Sequence, residues 1–201
     1  MTTLYLIRHA PSVSQGRLAG RRDVPADCSD QAALAAIRAR LPKEATIWCS
    51  PAIRCRMTAE ALALPPPDLQ QDLWEQSFGV WEGLPYDRLP NLGHLPPAAL
   101  ARHRPHGGES FKLMASRVRR RLRQARGETV VVAHAGTVRA ALSLVTGPLA
   151  LSFAIAPLSL TIMQGGGTDW SIATVNWTTP TETPNNMQDI PLGNGPLQSS
   201  H

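Results

Sequence analysis

Residues 129–136 read TVVVAHAG. Four β-branched residues run without helical period, and the run stops on His134, Ala135 and Gly136. Two other stretches have the same form. Residues 3–9, TLYLIRH, stop on Arg8 and His9, and residues 46–51, TIWCSP, stop on Ser50 and Pro51. Continuous apolar runs of this length, bounded by turn formers, predict buried strands covered on both faces, as in a parallel sheet.

The segments between these runs carry helical periods. Ser29 or Asp30 can cap a helix that places Leu34, Ile37 and Leu41 on one face. A second helix is expected after Pro51, and the Pro65-Pro66-Pro67 run must end it. Residues 110–126 put Met114, Val118, Leu122 and Ala125 on one stripe, and residues 137–145 form a helix that stops at Gly147-Pro148. Residues 160–164 and 171–175 read as two strands joined by Gly165-Gly166-Gly167. Strands alternating with helices predict an α/β fold with a largely parallel sheet. The boundaries expected are one domain over 1–177, with a Pro-rich, lid-like segment at about 84–108, and a polar flexible tail over 178–201.

The bulk composition narrows the partners. A chain of 201 residues with 43% hydrophobic content supports one ordinary core. The formal net charge is +5, and Lys43 and Lys112 are the only lysines among 20 basic residues. Excess Arg suits phosphate or carboxylate ligands. Cys28, Cys49 and Cys55 are an odd count without metal-type spacing, which fits reduced thiols in a cytoplasmic protein. MTTLYLIRH lacks the basic and long apolar regions of a signal peptide. The apolar stretch at 141–158 is interrupted by Gly147-Pro148 and Pro157, so it reads as a core helix and a loop, not a membrane span.

Three predicted strand ends carry Arg8-His9, Ser50-Pro51 with Arg54, and His134. Ligands of open α/β sheets bind beyond the carboxyl ends of the strands. If these strands are neighbours, two His and two Arg converge, and an anion pocket results.

The same residues carry a family resemblance. LIRHAPS resembles the RHG signature of the histidine phosphatase superfamily, also called phosphoglycerate mutase-like. GRLAGRRDVP (16–25) looks like the loop that follows it. CSPAIRCRMTAE (49–60), LWEQSFGVWEGL (73–84), GGES (107–110) and VVVAHAGTVRAAL (130–142) are similar to the later family motifs, in family order. The resemblance implies a three-layer α/β/α fold with a mostly parallel central sheet. It implies that His9 accepts the phosphoryl group and that Arg8, Arg54 and His134 bind phosphate. It implies that Glu75 donates the proton, that Glu82 is structural, and that Gln15 and Arg21 are possible phosphate or substrate contacts. The short chain and the RHAP start look most similar to the α-ribazole phosphatases of cobalamin biosynthesis.

The chemistry is consistent with those roles. Attack by neutral imidazole forms a covalent intermediate and divides one hard step into two. The transferring group needs fixed cations, and Arg8 and Arg54 supply them at any working pH. His134, if protonated, adds a donor. One carboxyl group can protonate the leaving alkoxide and later deprotonate water. This route requires no metal or other cofactor, and the sequence shows no metal cage.

Two positions depart from the family pattern. Ala10 stands where Gly is usual, which is tolerable if the backbone does not need positive φ. Gln15 stands where Asn is frequent. Three further features read structurally. The run Arg117, Arg119, Arg120, Arg121, Arg123, Arg126 is expected to be the solvated face of its helix, not a nucleic-acid patch. His94, His103 and His106 belong to the lid-like segment, and loop histidines are usually solvated. Ser50 and Ser110 show no nucleophile–base arrangement. The expected activity is hydrolysis of a small phosphorylated metabolite by a monomer or homodimer, without nucleic-acid or membrane partners. The alternatives are phosphoglycerate mutase-type transfer and a non-catalytic binding protein on the same fold.

Overall fold

The computed structural model describes residues 1–179. The order is β1 (Thr2–Arg8), α1 (Gln31–Arg38), β2 (Thr46–Cys49), α2 (Ile53–Ala61), β3 (Asp68–Leu69), α3 (Pro97–Leu100), α4 (Phe111–Leu122), β4 (Glu128–Ala133), α5 (Ala135–Thr146), β5 (Leu160–Gly166) and β6 (Asp169–Trp177). Single 3-10 turns lie at Gln71–Leu73, Gly79–Trp81 and Tyr86–Arg88, and a longer one at Gly147–Ser152. The tail expected over 178–201 lies, from residue 180 on, outside the described residues.

The six strands form one sheet in the order β3-β2-β4-β1-β5-β6. β3, β2, β4 and β1 are mutually parallel, whereas β5 pairs antiparallel with β1 and with β6. Strand alternation sorts side chains to two cores. Leu4 and Leu6 of β1 and Val131 and Ala133 of β4 pack with α4 and α5. Ile7 of β1 and Val130 and Val132 of β4 pack with α1 and α2 on the other face. The architecture is therefore three layers, α/β/α, with a mostly parallel central sheet.

Local signals set the helix starts. Asp30 caps α1 by accepting from the Ala33 N–H at 2.9 Å, and Ser110 caps α4 by accepting from Leu113 N–H at 3.2 Å. On α4, Met114, Val118 and Leu122 are buried as the stripe required. α2 stops at Ala61, ahead of the proline run. The segment 84–108 contains only the turn at Tyr86–Arg88 and the short α3, which packs against the Gly147–Ser152 turn. No helix among the described residues is long and apolar enough to cross a membrane.

Candidate active site

In the sheet, β4 lies between β2 and β1. The carboxyl ends of these three neighbours deliver Ser50, His134 and Arg8-His9 to one place. Arg54 reaches it from the first turn of α2, and its side chain is fully buried.

His9 is held by backbone at two points. Its N–H donates to the Ala133 carbonyl at 2.9 Å, and its Nδ1 lies 2.6 Å from the Ala10 carbonyl. A carbonyl only accepts, so Nδ1 carries the proton and Nε2 carries the lone pair. Arg54 Nε donates toward that lone pair at 3.3 Å. Burial, with Arg54 and Arg8 adding to it, pushes the His9 pKa down to about 3 despite the opposing Ala10 bond. The imidazole is therefore neutral across the ordinary pH range. Ala10 is fully buried and has no positive φ, so its methyl meets no backbone penalty. Its N–H donates to Thr58 Oγ1 at 3.0 Å, and Thr58 donates to the Arg54 carbonyl at 2.7 Å, which ties strand end to helix start.

Arg54 also donates to the Arg22 carbonyl at 3.0 Å and the Gly20 carbonyl at 2.8 Å, and Nη2 donates to His134 Nδ1 at 3.2 Å. Because Nδ1 accepts, His134 Nε2 is the protonated nitrogen, and it meets Ser50 Oγ at 2.8 Å. Burial, then the Arg54 charge and His9, pushes the His134 pKa well below its ordinary value. Both ring nitrogens are thus committed in a neutral ring. His134 orients Arg54 here; it does not present the second cationic donor considered from sequence. Ser50 accepts in this contact, so the pair is no nucleophile–base arrangement. Ser50 is fully buried, which suits orienting the ring.

Arg8 donates Nη1 to the Ile155 carbonyl, while its Nε is buried without a hydrogen-bond partner among the described residues. Burial lowers its pKa, against the Glu75 charge and with the charges of Arg139 and Arg54. A buried donor left open beside two arginines is a place for an anion's oxygen.

Glu75 lies across from these groups at the start of α5. Its Oε1 accepts from the Gln76 N–H at 2.9 Å and its Oε2 from the Gly136 N–H at 3.4 Å. Gly136 has no Cβ for a reason of space: a methyl there would sit 2.1 Å from Glu75 Oε1. Glu82 Oε1 instead accepts from the backbone N–H groups of Arg21 at 3.1 Å and Phe78 at 2.9 Å, so it fastens two loops together.

Arg21 turns its side chain to Glu109, at 3.2 Å, and its Nε to the Glu75 carbonyl at 3.4 Å. Gln15 is exposed, adopts φ 53°, and makes no side-chain hydrogen bond to these groups. The structure thus brings His9, Arg8, Arg54, His134 and Glu75 together, places Arg21 behind Glu75, and leaves Gln15 on the surface. A neutral nucleophilic nitrogen, two guanidinium groups and an opposing carboxyl form a set suited to phosphoryl transfer through a covalent intermediate.

Residues 4–178 match the family model of the histidine phosphatase superfamily (branch 1). The chain belongs to the histidine phosphatase superfamily. Solved structures similar to this superfamily member include TTHB049 from Thermus thermophilus, 28% identical with TM-score 0.67, covering 80% of this chain and 92% of that one. A phosphoglycerate mutase from the same organism is 30% identical with TM-score 0.65, covering 80% and 91%. The mycobacterial glucosyl-3-phosphoglycerate phosphatase Rv2419c shares the fold at TM-score 0.72 with 22% identity, covering 87% and 98%. No curated protein matches this chain.

Three features of this histidine phosphatase fold were missed from sequence. Arg117 is not on a solvated face. It is mostly buried and donates to the carbonyls of Asp72 and Trp74, both at 2.7 Å, and of Glu75 at 3.0 Å. It also grips both oxygens of Glu109, at 3.1 and 2.9 Å. Burial alone would raise the Glu109 pKa, but the Arg117 hydrogen bond and charge, the Ser77 N–H and Arg21 bring it below its ordinary value. Arg139 is partly buried beside Glu75 and donates Nε to the Phe153 carbonyl at 3.0 Å. His103 is not simply solvated: its ring stacks on Trp81, centroids 5.4 Å apart. A glycine in the first turn of a helix, directly after His-Ala, was the one local signal of close approach available for Gly136.

Proposed function

We propose that this superfamily member is a phosphomonoesterase that works through a phosphohistidine on His9, with Glu75 as the proton donor. The observation that carries the reading is the fixed tautomer of His9: Nδ1 donates to the Ala10 carbonyl, and the Nε2 lone pair faces Arg54. In the first step Nε2 attacks phosphorus and the ester P–O bond breaks. The Glu75 carboxyl gives its proton to the departing oxygen. Arg8 and Arg54 balance the charge on the transferring group, and the Ala10 carbonyl stabilises the ring as it becomes cationic. In the second step water attacks phosphorus, the Glu75 carboxylate takes the water proton, and the N–P bond breaks. Inorganic phosphate leaves and both side chains return to their starting forms.

The short 84–108 segment favours hydrolysis, because it offers little cover to retain a phosphorylated product while the phosphohistidine waits. Mutase-type transfer is the second reading, favoured by the similarity to the Thermus thermophilus phosphoglycerate mutase. Phosphate release and phosphoryl movement between positions of phosphoglycerate can be followed on one preparation. Release is expected to dominate, and transfer well above release would establish the second reading. A panel containing α-ribazole 5′-phosphate, phosphoglycerates and glucosyl-3-phosphoglycerate then ranks substrates.

A further inference from the structure

α4 carries basic residues on a side turned away from the active site. Lys112, Ala115, Ser116 and Arg119 recur at helical spacing, so they share one side of the helix. Arg117, which bonds the Glu75 carbonyl, leaves α4 about 200° around the axis from Arg119. Arg119 instead donates Nη1 to Ser143 Oγ at 3.4 Å, and that hydroxyl donates in turn to the Ala140 carbonyl at 2.6 Å. The Lys112 N–H donates to the Ala101 carbonyl at 2.8 Å, which brings Arg102, just past the end of α3, against the first turn of α4.

Arg102, Lys112 and Arg119 together line two adjoining cavities. The inner one, about 200 Å³, is otherwise walled mainly by Ala98, Ala101, Phe111, Ala115 and Pro148. The outer one, about 360 Å³, adds Ser110, Leu113 and Ser116. No acidic residue lines either space, and none of the three cations has a carboxylate ion-pair partner within 4.0 Å among the described residues. Arg119 is partly buried, and burial, with the Arg123 charge adding to it, lowers its pKa. Converging like charges at an acid-free, half-dry wall are relieved by an anion. A carboxylate brings one charge, whereas a phosphate group brings about two charges and three acceptor oxygens, which matches the cations better. The inner volume lies below the ~300 Å³ at which pockets for drug-sized ligands begin, and its apolar wall suits a short hydrocarbon body.

We propose that this junction is an accessory binding site for a small organic phosphate. Arg102, Lys112 and Arg119 hold the head group, and a short apolar body enters the inner cavity between α3 and the Gly147–Ser152 turn. Arg102 belongs to the 84–108 segment and Lys112 and Arg119 to α4, so an occupant ties that segment to the helix. The site is separate from the one at His9 and does not depend on the reaction carried out there.

The test is a ¹⁵N amide NMR titration of the full chain with butylphosphonate and methylphosphonate, which have no ester bond to hydrolyse. The Gly136 amide reports on the active site, and the Leu113, Ser116 and Gly147 amides report on the junction. Butylphosphonate is expected to shift the junction amides with a Kd of their own, about 0.1–1 mM. Methylphosphonate, three methylenes shorter, is expected to bind there about tenfold more weakly. Arg119→Gln should weaken the junction Kd at least about tenfold and leave the Kd read at Gly136 within about twofold. The double variant Lys112→Gln with Arg102→Gln, both at exposed positions, carries the same expectation if Arg119→Gln does not fold. Junction amides that stay still up to about 20 mM, or that follow the Gly136 Kd in every variant, overturn the proposal. Equal junction affinity for the two phosphonates, or a junction Kd unchanged in the variants, overturns it as well.

Discussion

Arg117→Met is expected to impair the proton donor without touching the phosphate site. Arg117 makes five hydrogen bonds, three to the carbonyls of Asp72, Trp74 and Glu75 and two to Glu109. A hydrogen bond from a charged donor contributes about 1.5–3 kcal/mol when removed singly. Bonds sharing one group are not additive, and Glu109 keeps the Ser77 N–H and Arg21. Removing one partner of a largely buried ion pair costs about 3–5 kcal/mol. At roughly 2–4 °C per kcal/mol for a domain of this size, Tm falls by about 6–20 °C. The same loss frees the backbone that carries Glu75. A displacement near 1 Å at a reacting group costs about 10²-fold. With folded variant well below its Tm, kcat/KM for an alkyl phosphate is therefore expected to fall about 10²-fold. The loss on p-nitrophenyl phosphate, whose leaving group hardly needs a proton, should be under about tenfold. Arg117→Lys, with one ammonium in place of a fork, should recover only part of either effect. Equal losses on both substrates, or a lower Tm with unchanged ratio, would show that Arg117 serves stability alone.

Gly136→Ala should leave Tm nearly unchanged, since Ala is the better helix former by about 1 kcal/mol. Yet its methyl, 2.1 Å from Glu75 Oε1, should cut alkyl phosphate turnover at least tenfold; full activity would show that Glu75 does not work from this position. Glu75→Gln should lower the alkyl-to-p-nitrophenyl ratio by about 10²-fold or more, whereas Glu82→Gln, which still accepts from the Arg21 and Phe78 N–H groups, should leave it unchanged. The opposite pattern would exchange the two roles. Stability should decline on acidification. The unfolded histidines take up protons near pH 6.5, while folded His9 stays neutral down to about pH 3 and His134 is also held well below its ordinary value. Each contributes a slope of about 1.4 kcal/mol per pH unit below the unfolded pKa. Urea titrations from pH 7 to pH 5 read this, and a His9→Asn variant with an undiminished slope would argue against a depressed pKa at His9.

The three central strands were legible because their β-branched runs lack any other period, and the sites at their ends followed from that placement. β3 was not, since Asp68-Leu69 is a two-residue edge strand with no pattern to detect. The antiparallel direction of β5 was equally invisible, because strand direction is fixed by pairing with β1 and not by local sequence. At the site, His9, Arg54 and His134 announced themselves by position. Arg117 looked like its neighbours Arg119 and Arg120; what distinguishes it are its bonds to Glu109 and its contacts 42 to 45 residues away in the chain. The Ser50–His134 bond spans 84 residues and likewise leaves no local trace. The protonation state of His134 depends on burial and on Arg54, which neither residue's own segment reveals.

The central claim is the covalent step on His9. Enzyme mixed with ³²P-labelled substrate and quenched during turnover should carry label that is lost in acid and kept in base, and peptide mapping should place it on His9. His9→Ala should show neither label nor turnover. Label on another residue, or near wild-type turnover by His9→Ala, would contradict the mechanism.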